Sequence, residues 1–438
     1  MSTPARIIRT YLAITALFNL AASLIWGVDT LFKLHAGLDI FQVMLTNAAF
    51  TLGMTVFEIP TGVVADTLGR RVSFLLSVAT LLVGTMAYVA IGWRRWGFWP
   101  FVWVSIVLGL GYTFYTGAVD AWLVDALKAS GYSEPLEPIF ARGQMAFGGA
   151  MLVGTLAGGA LGQIQLFIPY LARAATFVPL IAIAWWAMPE IGHTPRTLEW
   201  RRVPEELRRV FIEGLDYGVH HAVVRPVMLA SLVNMSFMIF GFYSWQRYFL
   251  DLLGRELVWV SGLIASLLSL SMIVGNVLVR RLSATGLTRP GLLGASAATQ
   301  ALLAAACGIL GLGLGPGHPE PWRFWLVVPL YLLYGVALGV MAPVKQGYLN
   351  DHIPSAQRAT VISLDSLFAD LGGAAGQSGW GYLARMTSLP VAWVFAGAVQ
   401  GFGVPLYRMA RAGEARASST DVAPFTPGTS EARSGGGP

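Results

Sequence analysis

Charge is scarce in this chain. Asp, Glu, Lys and Arg make up 12% of its 438 residues, about half the share of an ordinary soluble domain, too little to clothe a solvated globular surface. Cysteine is all but missing. The single Cys307 rules out an internal disulfide and a thiolate metal cluster, and it lies in an alanine-rich run where packing is its expected role. The six histidines (His35, His193, His220, His221, His318 and His352) fall in loops or at segment ends, without metal-ligand spacing and without a nucleophile–base partner. No phosphate-cradling glycine loop with its lysine occurs, which argues against an ATP-driven pump. We therefore expect no enzyme, no catalytic residue, no cofactor and no metal. The net charge of +6 comes from basic residues spread as loop punctuation rather than pooled in a patch, so no nucleic-acid partner is expected.

What is present is hydrocarbon: 55% of residues are hydrophobic, in recurring apolar runs of about 20 residues, each long enough to cross a bilayer as a helix. A β-barrel would show short alternating segments instead. The first run follows Arg6 and Arg9 but continues past Trp26 without a small-residue cleavage site, so it reads as a retained helix. Spans are expected at 10–31, 41–64, 72–92, 100–127, 143–164, 168–189, 227–250, 258–280, 291–314, 324–345, 359–383 and 390–409. The fold class is thus an all-α polytopic membrane protein of twelve transmembrane helices, arranged as two pseudo-symmetric six-helix bundles. Residues 1–190 form the first bundle, 191–225 a cytoplasmic linker, 226–411 the second bundle, and 412–438 a Ser/Gly/Pro/Ala-rich tail read as disordered. The linker mixes Arg and Glu around Pro204, and is either a short amphipathic helix or a solvated connection. Placing the N terminus inside leaves most of the 29 Lys and Arg in inner loops; Lys33 and Arg173 count among the outer ones. A multi-pass protein of the cell membrane with both termini cytoplasmic follows, expected as a monomer.

One loop carries more chemistry than any other. Gly62, Asp66, Gly69, Arg70 and Arg71 stand as G-x-x-x-D-x-x-G-R-R between the second and third spans. An acid and two arginines at a membrane edge are costly unless paired, so they read as a clasp between helix ends. This pattern resembles the signature loop of major facilitator superfamily transporters, and the preceding Glu58-Ile59-Pro60-Thr61 resembles its drug/proton-antiporter-like branch. The stretch from Asn350 to Thr360 is similar to the loop before the eleventh helix of bacterial exporter-like members. The resemblance implies a cytoplasmic gate in which Asp66, Arg70 and Asp125 form a charge relay. The fifth span, with Gly148, Gly149, Gly154, Gly158, Gly159 and Gly162, resembles the antiporter motif but lacks its Gly-Pro pair: Leu156-Ala157 precedes Gly158-Gly159. Gly275 with Arg280 and Arg281 echoes the first clasp in the second half, without the aspartate.

Acids at membrane depth are functional candidates by default. Asp370, Asp120 and Glu58 are the candidate proton or cation sites. Ser363, Ser366, Asp370 and Gln377 recur at helical spacing as one polar stripe; Asp365 sits one turn inside the same span, toward cytoplasmic water. Candidate cavity-lining faces are Asn19, Ser23 and Trp26 on the first span, Thr113 and Thr116 on the fourth, and Ser231, Asn234, Met238 and Trp245 on the seventh. Ser269 and Asn276 on the eighth and Tyr331 and Tyr334 on the tenth complete them. The expected activity is secondary active transport by alternating access: proton-coupled efflux of a small amphipathic or cationic molecule, since buried acids outnumber buried cations. The alternatives are nutrient or metabolite uptake by symport or uniport, and a membrane sensor or enzyme on a transporter-like scaffold. The partners are that small molecule, protons and the lipid bilayer.

Overall fold

The computed structural model describes residues 3–191, 218, 220–313, 319–353 and 358–420, and all regular structure among them is helical. Six passes form the first half. They are α1 (Pro4–Ser23) with the short α2 (Asp29–His35), α3 (Ile40–Leu68), α4 (Arg70–Arg94), α5 (Phe98–Tyr115) continued by α6 (Ala118–Ala129), α7 (Glu137–Ile164) and α8 (Ile168–Ala187). The second half repeats the plan: α9 (Val224–Leu253), α10 (Trp259–Ser283), α11 (Arg289–Leu310), α12 (Pro321–His352), α13 (Arg358–Met386) and α14 (Leu389–Gln400) continued by α15 (Gly403–Thr420). An even number of passes brings both described ends to one side, called here the terminal face; the other is the far face. The linker expected around 191–225 falls mostly on residues 192–217, outside the described residues, as does the turn at 354–357.

Ten passes among the described residues are long and apolar enough to cross a membrane; α1 and α13 stand outside that set. Each carries charges that hydrocarbon rejects: Arg6 and Arg9 in α1, Asp365 and Asp370 in α13. So α13 is poorly suited to face lipid, and it packs between α9 of its own half and α3 of the other. The outer surface is apolar instead, with Val83, Trp103, Val277, Leu302 and Trp325 all exposed. Trp93, Trp96 and Trp99 are exposed where α4 turns into α5 at the far face, the level of an interfacial aromatic belt.

Two seams join the halves, α3 along α13 and α7 along α10. In the second, Gly159 meets Gly262 backbone to backbone: a Cβ on Gly159 would lie 2.7 Å from the Gly262 Cα. Only glycine allows that approach.

Three passes are interrupted where the sequence suggests continuous spans. The first ends at Ser23, whose hydroxyl donates to Asn19 O (2.7 Å) and Ala150 O (3.3 Å), and the chain restarts as α2. The fourth breaks at Thr116–Gly117, where Gly117 takes a φ of 75°. The twelfth breaks after Gln400, and its second part runs through Ala412 to Thr420.

Candidate functional site

The signature loop closes on itself. Gly69 joins α3 to α4 with a φ of 105°, and its missing side chain leaves room for the Glu190 carboxylate. Glu190 accepts from the backbone N–H of Arg70 (2.8 Å) and of Arg71 (2.9 Å), which puts an anion on the first turn of α4. The Arg70 guanidinium pairs with Asp66 at 2.7 Å. Arg71 donates to Trp185 O at 2.5 Å and lies over the Trp185 ring. Both arginines are thus engaged within the first half. Asp125, half-buried on α6, is not brought to Arg70 and has no ion pair among the described residues. Sequence reasoning missed Glu190; its signal is an acid just past Pro189, whose carbonyl is anchored by the Trp122 indole at 2.9 Å.

Near the middle of α3 and α13 the Thr55 hydroxyl donates to Asp370 at 3.3 Å, across the seam. Glu58, one turn nearer the terminal face, is within electrostatic reach of Asp370 and is exposed. Thr55, Glu58, Gly62 and Asp66 recur at helical spacing on one face of α3. Ser363, Ser366 and Asp370 do the same on α13, and both serines are exposed. Gly62 has open space where a side chain would project. The two polar stripes thus meet at Thr55 and Asp370, and toward the terminal face their members Glu58, Gly62, Ser363 and Ser366 are exposed.

On the far side of this level the halves are tied. Gln246 accepts from Thr30 N (3.1 Å) and donates to Trp26 O (2.6 Å), while the Thr30 hydroxyl donates to Tyr243 O (2.6 Å). Gln163 donates to Glu256 O at 2.7 Å and accepts from Trp259 N at 3.1 Å. Arg385 pairs with Asp39 at 3.5 Å, and Thr155 meets Ser266 at 2.5 Å. Among the described residues, every hydrogen bond and ion pair between the halves lies from the Thr55–Asp370 level outward to the far face.

The charge balance inside the molecule differs from that read in the sequence. Lys33 and Arg173 are not outer-loop charges; they are 3% and 2% exposed. Lys33 is drawn in because the first helix stops at Ser23 and the pass resumes as α2, which is held against α9 by Thr30 and Gln246. There Lys33 Nζ meets Asp29 Oδ2 at 2.8 Å and Asn47 Oδ1 at 2.5 Å, and the Tyr170 hydroxyl donates to Asp29 Oδ1 at 2.8 Å. These groups, with Arg173, edge a cavity of about 250 Å³. Asp365 does not face water either: it is 5% exposed, 2.7 Å from Lys345 Nζ and 2.6 Å from the Ser231 hydroxyl. Two buried acids, Asp29 paired with Lys33 and Asp365 paired with the partly exposed Lys345, are thus matched in number by two fully buried cations, Lys33 and Arg173, which removes the sequence argument against an anionic substrate.

Of the residues expected to line a cavity, Trp26 stands in the wall of this one. Asn19, Thr113 and Thr116 bond to carbonyls of their own helix, and Ser269 does likewise. Asn234 donates to the Tyr407 hydroxyl at 3.3 Å. Trp245, Tyr331 and Tyr334 are packed in an aromatic cluster with Phe249 and Trp393. Met238 is half-buried and Asn276 exposed. Gln377 is fully buried with neither amide atom bonded. Asp120 is exposed in the first turn of α6, within electrostatic reach of Tyr11. In the fifth span, Gly154, Gly158, Gly159 and Gly162 permit close approach, whereas Gly148 and Gly149 have open space around them.

This architecture has relatives. The nucleoside transporter NupG aligns over 94% of this chain and 99% of its own, with a TM-score of 0.73 at 13% identity. A D-xylose–proton symporter covers 93% of this chain and 97% of its own (TM-score 0.66, 15% identity). A POT family transporter in complex with 5-aminolevulinic acid covers 93% and 96% (TM-score 0.69, 13% identity). At such identities the likeness is one of fold. Among curated proteins, none matches the chain by sequence. The family model of the Major Facilitator Superfamily matches residues 11–377, so the chain belongs to that superfamily: a multi-pass membrane transporter, not an enzyme.

Proposed function

We propose that the chain is a proton-coupled secondary transporter of a small amphipathic molecule, with both termini cytoplasmic and residues 1–190 and 226–411 as its two moving bundles. One observation carries the reading: among the described residues, the hydrogen bonds and ion pairs between the halves run from the seam's middle to the far face. That asymmetry is what a rocking pair of bundles has in its inward-facing arrangement. The opposite arrangement breaks the far-face bonds and brings the α3 and α13 stripes together. Asp66 and Arg70 then act as the cytoplasmic gate, with Asp125, on the same bundle, as the relay partner that the resemblance implies.

Asp370 is the proton-carrying group in this account. Its bond to Thr55 spans the seam, so protonation alters a contact that must break when the bundles move. Glu58 is the neighbour through which its proton reaches the terminal face, and Asp120 is a separate acid on the first half. Efflux is the proposed direction, on the resemblance of the loop at Glu58–Arg71; uptake is the second reading. Reconstituted vesicles with a pH-sensitive dye inside test both. An outward proton gradient that drives substrate in, or the reverse, sets the direction, and substrate flux without any proton movement overturns the coupling.

A further inference from the structure

The cavity of about 250 Å³ between α9 and the interior of the first half has an unmet charge on its wall. Asp29 is balanced by Lys33, which is already engaged by Asp29 and Asn47. Arg173 has no such partner: it is 2% exposed and pairs with no carboxylate among the described residues. Its one hydrogen bond goes to the Tyr112 hydroxyl at 3.4 Å, and the Tyr112 and Phe177 rings lie under it. Its Nε is buried without a partner, and so is the Asn47 Nδ2. A buried cation without an anion is costly, and buried donors left unbonded add to the cost. Both residues line the same cavity.

The rest of that wall is apolar and aromatic, with Trp26, Phe50, Met54, Leu108 and Phe242. The volume exceeds the roughly 150 Å³ cavity that accommodates one benzene ring, leaving room for a ring and a short chain. An arginine fork suits a carboxylate, which it holds with two parallel donors. A cationic ligand would meet Arg173 unscreened, and a neutral one would leave its charge unmatched.

We infer that this cavity binds a small organic anion, its carboxylate held by Arg173 with Asn47 and its aromatic or aliphatic body lying among the apolar residues. As a substrate site it rests on the transporter reading; as a binding site it stands by itself. It favours an anion where the sequence favoured a cation, because the sequence placed Lys33 and Arg173 in loops.

The test is equilibrium binding to the full chain in detergent micelles, using three probes of one shape: 3-phenylpropionate, 3-phenylpropylamine and 3-phenylpropanol. The acid is expected to bind at least tenfold more tightly than the amine or the alcohol. Arg173→Gln is expected to weaken the acid at least tenfold, and Arg173→Lys to retain part of the affinity. The acid failing to bind at millimolar concentration, the amine binding as well as the acid, or acid binding that ignores Arg173→Gln would each overturn the inference. The wild-type comparison needs no variant to fold. Since no flux is measured, failure here leaves the transport reading standing, and a chain that binds the acid yet moves nothing sinks the transport reading alone.

Discussion

Thr55 on α3 and Asp370 on α13 meet at 3.3 Å across the seam between the halves, and among the described residues this bond marks the level where the bonded part of the interface ends. Toward the far face the halves are stitched by Gln246, Gln163 and Arg385; toward the terminal face Glu58, Ser363 and Ser366 are exposed. In the proposed rocking motion, a carboxylate at this boundary is reached from one side in one arrangement and from the other side in its opposite.

Asp370→Asn keeps a hydrogen-bond acceptor for Thr55 but cannot exchange a proton. Expected is a folded protein with binding retained and proton-coupled flux lost. The check is dye-reported proton movement in vesicles beside the unfolding midpoint in micelles. Unchanged coupling would remove Asp370 from the mechanism.

Gly262→Ala attacks the other seam. Its Cβ would lie 2.4 Å from Thr155 O and 2.8 Å from the Gly159 Cα. Overpacking of this kind costs about 1–3 kcal/mol, a roughly ten- to hundredfold shift away from the arrangement closed at the far face. A reporter cysteine at Thr30→Cys, buried where α2 meets α9 on the far side, is expected to react faster with a soluble maleimide when Gly262→Ala is added.

Lys345→Ala strands Asp365, which is 5% exposed and keeps only its bond to Ser231. Removing one partner of such a pair costs about 3 kcal/mol, read as a lower midpoint of denaturant unfolding. Adding Asp365→Leu to that variant is expected to recover most of the loss, because the penalty comes from the unpaired charge.

Much of this molecule is legible in its sequence. The apolar runs give the passes, and the loop at Gly62–Arg71 gives the family. The stripe Ser363–Ser366–Asp370 gives the seam, because polar side chains at helical spacing cannot face lipid. What stays hidden follows from interruptions too small to disturb an apolar run. The stop at Ser23 sends Asp29 and Lys33 inward; the i,i+4 acid–base pair between Gly27 and Gly37 was the visible trace. Arg173 looked like a boundary charge because it lies one turn inside α8, and only its neighbours Tyr112 and Phe177 show it buried. The amides Gln246 and Gln163 were unmarked, since a glutamine that bonds across a seam has no pattern of its own.

Glu190→Ala uncaps α4. With no carboxylate on the Arg70 and Arg71 amides, the loss is about 1 kcal/mol. The expected readout is faster amide hydrogen exchange confined to residues near Arg70, with the far-face seam unaffected. Glu190→Gln is expected to fall between the two, since it retains one acceptor oxygen.

The most direct measurement is of the two faces at once, by pulsed electron resonance between spin labels. Ser133→Cys with Thr285→Cys reports the terminal face, and Trp96→Cys with Thr387→Cys the far face; all four positions are exposed, and Cys307 is buried out of reach of the label. Two distance populations are expected at each face, the longer at one accompanying the shorter at the other, and both shifting together when pH or substrate changes. A single distance at both faces, unmoved by either, would contradict the account.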